Sequence, residues 1–251
     1  MVTAQLDVVI PPRKLCLRKN LSVWASDAQC QLVVSHPALD PELWNEYLDG
    51  AFRTYSKHGV ECTLDPDANY GNDTRLFFAA VNTQGRVVGG ARVIGPLGSA
   101  EDSHAVVEWA DNSGLPAVRK MINDRVPFGV VEVKTAWADS DSHQSGSITK
   151  ALARPAFTVM ALLEVQFIMA TAAAHVLDRW RSSGGVVAAK IPAAAYPDEH
   201  YRTKMIWWDR NTVANHAEPQ QLSRMLVETR KLLRDTNAWS KITTATAGAG
   251  L

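Results

Sequence analysis

The stretch RLFFAAVNTQGRVVGGARVIGPL, residues 75–97, decides the fold. Residues 76–81 and 87–94 are runs of Val, Phe, Ala and Ile, separated by the polar tip Asn82-Thr83-Gln84-Gly85-Arg86. Apolar runs of this length on either side of a Gly-containing connection predict an antiparallel hairpin. The second arm carries Gly89, Gly90 and Arg92 where a plain core strand would carry branched apolar side chains. Glycine inside a strand marks a bulge or a close approach to the backbone. A charge in an apolar strand needs a partner or solvent. The hairpin is therefore expected to be a folding core and also one wall of a site.

Working outward, CQLVVS (30–35) reads as a strand that His36-Pro37 stops. Asp40 as N-cap and Pro41 at the first helical position open a helix over residues 41–57. Its apolar face is Leu43, Trp44, Tyr47, Leu48, Phe52 and Tyr55, and His58-Gly59 ends it. Residues 60–74 form an acidic, turn-rich loop with Glu61, Asp65, Asp67 and Asp73. Beyond the hairpin, residues 98–127 read as irregular with a short helix at 115–121. A connection of that length inside a compact domain is either functional or mobile.

FGVVEVKTAW (128–137) is the next strand, placing Val131, Val133 and Thr135 on one face and Glu132, Lys134 and Ala136 on the other. A polar loop, 139–147, leads into a long helix expected over 148–181, broken near Pro155. Its middle, residues 157–177, is apolar nearly all round, so it should be buried. His175 inside it reads as a satisfied core residue. Strands at 186–191 and 201–208 and an amphipathic helix at 219–235, using Leu222, Met225, Leu226, Leu232 and Leu233, complete the order. The expected organisation is an N-terminal arm (1–27), one domain (28–236) and a flexible tail (237–251). The class is α/β, with a mixed, largely antiparallel sheet flanked by helices in three layers.

Composition narrows the function classes. Hydrophobic residues are 46% and charged residues 21% of 251, the balance of a globular chain with a large core. Lys+Arg and Asp+Glu are equal at 26 each, so no net positive field exists to hold nucleic acid. The three cysteines, Cys16, Cys30 and Cys62, are far apart with no CxxC, which fits a reducing compartment and gives no zinc pattern. No run is long enough to span a membrane. The first twenty residues place their charges after an apolar run, the reverse of a secretory signal, so a cytoplasmic location is expected.

No nucleophile elbow, HExxH, Walker loop or dinucleotide fingerprint is present, and no two of the seven histidines stand at metal-ligand spacing. What remains is a constellation. Asp65 and Asp67 precede the hairpin that holds Arg92, and the later strand carries Glu132 and Lys134 on one face. If these strands are neighbours, the groups converge. A carboxylate in a partly apolar cleft can take a proton from an ammonium group. The competing reading is an ion-pair network that ties loop to sheet, and composition alone favours it.

The order strand, helix, acidic loop, hairpin, strand, long helix resembles the Gcn5-related N-acyltransferase (GNAT) fold. More narrowly, residues 58–97 resemble the acyl-homoserine-lactone synthases and long-chain N-acyl amino acid synthases. The matching positions are Gly59, Glu61, Asp65 or Asp67, Gly85, Val88, Gly89, Arg92 and Pro96. That family follows with a strand bearing a glutamate and, three residues on, an arginine. Here Glu132 is present and Thr135 replaces the arginine. The phosphate-cradling signature of acyl-CoA acyltransferases is also absent, leaving Ser145-Gly146-Ser147 at the helix start.

The resemblance implies an acyltransferase moving an acyl group from a thioester to the amine of an amino acid or similar small molecule. Glu132 would be the proton acceptor, Arg92 a second catalytic group or an organiser of the acidic loop, and Asp65 and Asp67 the holders of the amine. Val133, Lys134 and Thr135 would contact the substrate, with a backbone N–H near Val133 or Thr135 facing the thioester carbonyl. The donor arm would lie between the Glu132 strand and the strand at 186–191. Ser145, Gly146 and Ser147 would take the phosphates of an acyl-CoA co-substrate. A carrier-protein donor fits equally well, with Lys150 and Arg154 near an acidic carrier, although a solvated helix turn explains them more simply. No permanently bound cofactor or metal is expected. Two alternatives stand beside this reading: a non-catalytic binding module on the same fold, and a protein N-acetyltransferase.

Overall fold

The computed structural model describes residues 17–64, 71–139, 144–234 and 236. The predicted hairpin forms, with β3 (Thr74–Val81) and β4 (Val87–Ile94) antiparallel around the Asn82–Arg86 tip. Asn82 Oδ1 accepts from the Gln84 and Arg86 N–H groups, and Gly85 adopts φ +78°, so the tip is closed by its own side chain. β4 is buried along its whole length. It lies inside a sheet that has, among the described residues, eight strands ordered β1-β2-β3-β4-β5-β6-β8-β7.

The other strands are β1 (Leu21–Ala25), β2 (Cys30–Ser35), β5 (Val130–Ala138), β6 (Phe167–Ala173), β7 (Val186–Val187) and β8 (Thr203–Asp209). All neighbours are antiparallel except β5 and β6. Residues 21–25, within the expected arm, form edge strand β1.

Helix α1 (Pro41–Lys57) runs as predicted, with the Asp40 carboxylate accepting from the Leu43 N–H at 3.0 Å. It packs Trp44, Tyr47 and Ala51 on one face of the sheet, against Phe77, Ala79 and Trp137, whereas Phe52 stays 59% exposed. Short α2 (Ala105–Glu108) and α3 (Leu115–Asn123) form a separate core with Val130, Met169, Met205 and Trp207. The opposite face carries α4 (Ser145–Ala153), α5 (Ala156–Leu163) and α8 (Pro219–Leu233) over the largest core. On α8, Leu226 points to solvent and Glu228 and Thr229 are buried in its place. Two further short helices are α6 (Leu177–Arg181) and α7 (Val213–His216). No helix among the described residues is long and apolar enough to cross a membrane.

The predicted helix over 148–181 is wrong. α5 ends at Glu164, which takes the left-handed conformation at φ 55°. The Gln166 and Phe167 N–H groups then bond to the carbonyls of Phe128 and Gly129 and begin β6 beside β5. A parallel strand with neighbours on both sides and layers on both faces is an unbroken apolar run, and periodicity does not separate that from a buried helix. The expected strand at 186–191 shrinks to the two residues of β7 at the sheet edge. His175, expected in the core, is exposed.

Gly89 and Gly90 are where helices approach the backbone from both faces. A Cβ on Gly89 would lie 2.8 Å from the Ile148 side chain of α4, and one on Gly90 would lie 2.4 Å from the Tyr47 ring of α1 and 2.6 Å from the Phe78 carbonyl. At these glycines the expected wall of a site is instead covered by the two helices. Gly90→Ala is expected to cost about 1–3 kcal/mol or more through overpacking, read as a lower urea midpoint with an unchanged m-value.

Candidate active site

The cleft begins where a strand ladder ends. β5 and β6 pair in parallel from Val130↔Phe167 to Val133↔Ala170, yet β5 runs on to Ala138 and β6 to Ala173. A bulge in β5 sits at the point of divergence. Gly90 pairs with Trp137 and Arg92 with Lys134, so Thr135 and Ala136 together oppose Ala91.

Thr135 has φ 50°, a region that a β-branched residue occupies only under constraint. Two buried side chains, Tyr47 and Arg92, and the half-buried Tyr55 supply it. Tyr47 Oη donates to the Thr135 carbonyl at 2.8 Å, Tyr55 Oη to the Ala136 carbonyl at 3.3 Å, and Arg92 Nε to Thr135 Oγ1 at 3.3 Å. The bulge reverses the facing of everything after it. Val131, Val133, Ala136 and Ala138 pack toward the large core, and Trp137 turns to α1. Strict alternation had put Thr135 with Val133 and Ala136 with Glu132.

Two adjoining cavities occupy the split, and both are lined by Tyr55, Val60, Ala136, Val176, Trp180 and Tyr201. One, of about 250 Å³, is completed by His104, Glu108, Val133, Lys134, Thr135, residues 170–173 of β6, Tyr196 and Thr203. The other, of about 380 Å³, is completed by His58, Trp137, Ser145, Thr149, His175 and Arg179. Carboxylate and phenol groups thus gather at one end, and the start of α4 with three basic side chains at the other.

Glu132 is fully buried. Its Oε2 accepts from the His104 N–H at 3.1 Å, at the start of α2, and its Oε1 has no hydrogen-bond partner among the described residues. Burial pushes its pKa above the usual carboxylate range, with Lys134, the His104 N–H, Ser103 and Arg92 pulling back. Glu108, at the other end of α2, has its side chain 6% exposed and lines the smaller cavity. Thr171 Oγ1 donates to Glu108 Oε1 at 2.9 Å, whereas Oε2 is buried without a partner among the described residues. Burial, reinforced by the Glu132 carboxylate, pushes the Glu108 pKa up to about 8. His104 Nε2 lies 3.0 Å from Tyr196 Oη. The Tyr55 and Tyr196 phenols, each pushed up to about 12 chiefly by burial, remain protonated donors at neutral pH.

Among the sequence-predicted residues, Val133, Lys134 and Thr135 line the cleft, and Ser145, Gly146 and Ser147 form the first turn of α4 with Ser145 on the larger cavity. Glu132 lies behind the lining rather than in it. Arg92 is fully buried and joins Asp73 (2.7 Å) and Thr74 (3.1 Å) to Thr135, which makes it the fastener of the bulge. Asp65 and Asp67 lie outside the described residues. The neighbour across the split is β6, not residues 186–191. Arg154 is buried in ion pairs with Asp27 and Glu228 and cannot meet a carrier.

Glu108, His104, Tyr196 and Thr171 escaped the sequence reading. Glu108 and His104 sit in the 98–127 connection, whose length was the one hint of function. That connection is firmly tied, with Trp109 Nε1 and Asn112 Nδ2 donating to the Pro192 and Ala193 carbonyls, each at 3.0 Å.

No protein-family model matches the chain. The "Uncharacterized protein Rv1356c" of Mycobacterium tuberculosis is 72% identical over 250 residues, 99% of this chain and 95% of that one. Among solved structures, FeeM, an N-acyl amino acid synthase from uncultured soil microbes, superposes with TM-score 0.54 at 13% identity, covering 76% of this chain and 97% of FeeM. BjaI, a CoA-dependent acyl-homoserine lactone synthase solved with SAM and isopentyl-CoA, gives TM-score 0.48 at 15% identity over 84% of this chain and 89% of its own. The chain has the GNAT-like fold of FeeM.

Proposed function

From a chain that belongs to one family with Mycobacterium tuberculosis Rv1356c and has the fold of the synthase FeeM, we propose an N-acyltransferase. It moves an acyl group from an acyl thioester, carried on coenzyme A or on a carrier protein, to the amine of an amino acid or related small molecule. The observation that carries this reading is the split between β5 and β6 at the Thr135 bulge. A peptide-like pantetheine arm can pair with strand-edge amides released by such a split, as in strand addition. The cavity bordered by the start of α4, His58, His175 and Arg179 suits the anionic end of the donor. The thioester carbonyl then lies at the bulge. There the Thr135 and Ala136 carbonyls are held by Tyr47 and Tyr55, and a planar trans peptide turns its N–H opposite to its carbonyl. Backbone N–H groups fixed this way serve as oxyanion donors. The carboxylate end of the cleft takes the acceptor amine.

Ala136 lines both cavities, so Ala136→Trp should plug their junction. Acyl-CoA is expected to raise the melting temperature of the wild type, increasingly with the logarithm of ligand concentration above Kd. The plugged variant should fold and lose that response. Equal stabilisation of both proteins would place the thioester elsewhere.

A further inference from the structure

We infer that Glu108, on α2, is the group that takes the proton from the acceptor amine, and that Glu132 is its positioning residue. The inference rests on the acyl-transfer reading above and replaces Glu132 as the expected base.

Access separates the two carboxylates. Glu108 lines the acceptor cavity, and its Oε2 is held there with no protein partner among the described residues, while Thr171 fixes Oε1. Glu132 sits behind the wall with its Oε2 on the His104 N–H. That bond anchors the beginning of the four-residue helix whose last residue is Glu108. A helix this short has little stability of its own, so the Glu132 bond and the Thr171 bond together set where Glu108 stands. Charges and titratable groups reach Glu108 from every side of the site: Glu132 and Lys134 from β5, Tyr55 from α1, His104 at the cap of its own helix, and Tyr196 from the segment before β8.

In the step, the amine nitrogen bonds to the thioester carbonyl carbon and the carbon–sulfur bond breaks. The nitrogen gives one proton to Glu108 Oε2, directly or through one water. The sulfur leaves as a thiolate and is protonated by water. A base whose own pKa lies near working pH suits this task. With rates referred to the unprotonated amine, the raised Glu108 value predicts that the rate rises with pH up to about 8 and then levels.

The test uses the full chain with a panel of acyl-CoAs and amines, reading thiol release and amide mass from pH 6 to 10. Glu108→Gln is expected to lower kcat/KM about 100-fold or more, keep acyl-CoA binding and lose the acid limb. Glu108→Asp should retain the limb at a reduced rate. Glu132→Gln should lower kcat while keeping the acid limb. A folded Glu108→Gln protein with wild-type rate and profile would overturn the inference and leave acyl transfer standing, as would a Glu132→Gln protein that alone loses the limb. A wild type that neither binds a thioester nor releases thiol with any pair would sink both readings.

Discussion

Glu108→Gln is expected to make the protein more stable than the wild type at pH 8, and by an amount that vanishes at pH 4. In the folded chain the Glu108 carboxyl titrates near 8, against about 4.5 for an unperturbed side chain. Between those values the native state binds a proton that the unfolded state has released, so stability falls as pH rises through this window and is constant above it. Each pH unit of the window is worth about 1.4 kcal/mol, which puts the full difference on the order of 4 kcal/mol. Glu132 is shifted in the same direction, so part of the effect is shared between the two and a double variant will not be additive. Urea titrations of wild type and variant across pH 4–9 read the difference directly. A gap that does not grow with pH would mean that Glu108 is solvated. Holding a largely buried carboxyl group with one oxygen unsatisfied costs stability, the pattern of a site kept for function.

Arg154→Met should have an effect of similar size with no relation to catalysis. Arg154 is fully buried, with Nε on Glu228 (2.8 Å), both Nη atoms on Asp27 (3.0 and 3.1 Å) and Nη1 on Gln221 (3.1 Å). Removing it leaves two largely buried carboxylates, Asp27 with the part-exposed Arg224 still at 2.8 Å and Glu228, beside Cys30, whose thiol is pushed up to about 11 by burial. Breaking such a pair from one side costs about 3–5 kcal/mol. Arg154→Lys should recover little, because one ammonium does not reproduce a bidentate fork. Adding Asp27→Asn and Glu228→Gln to Arg154→Met should restore part of the loss. An unchanged urea midpoint for the single variant would show that α8 is not fastened through this cluster.

Much of the fold was legible because its signals are local. The hairpin, α1 with its Asp40 cap, and β8 each announce themselves within a short window. β6 was not legible, since its buried part, residues 168–170, carries no alternation and its Ala-rich sequence suits a helix equally. The site was half legible. Glu132, Lys134 and Thr135 lie on a readable strand. The φ of Thr135 and the side reversal that follows depend on Tyr47, Tyr55 and Arg92, which are distant in sequence. Glu108 lies on a four-residue helix too short to have a period, and its role depends on Thr171 across the cleft. Gly89 and Gly90 gave the right physics and the wrong visitor: helices, not a ligand, come close.

The central claim is acyl transfer at the β5–β6 split. Its most direct measurement is mass analysis of reactions containing the full chain, acyl thioesters of graded chain length on coenzyme A or a carrier protein, and a pool of amino acids and small amines. New acyl-amide masses, matched by released thiol and absent with Ala136→Trp, are the predicted result. Amide-free reactions with every thioester, from a folded protein that binds none of them, would contradict it.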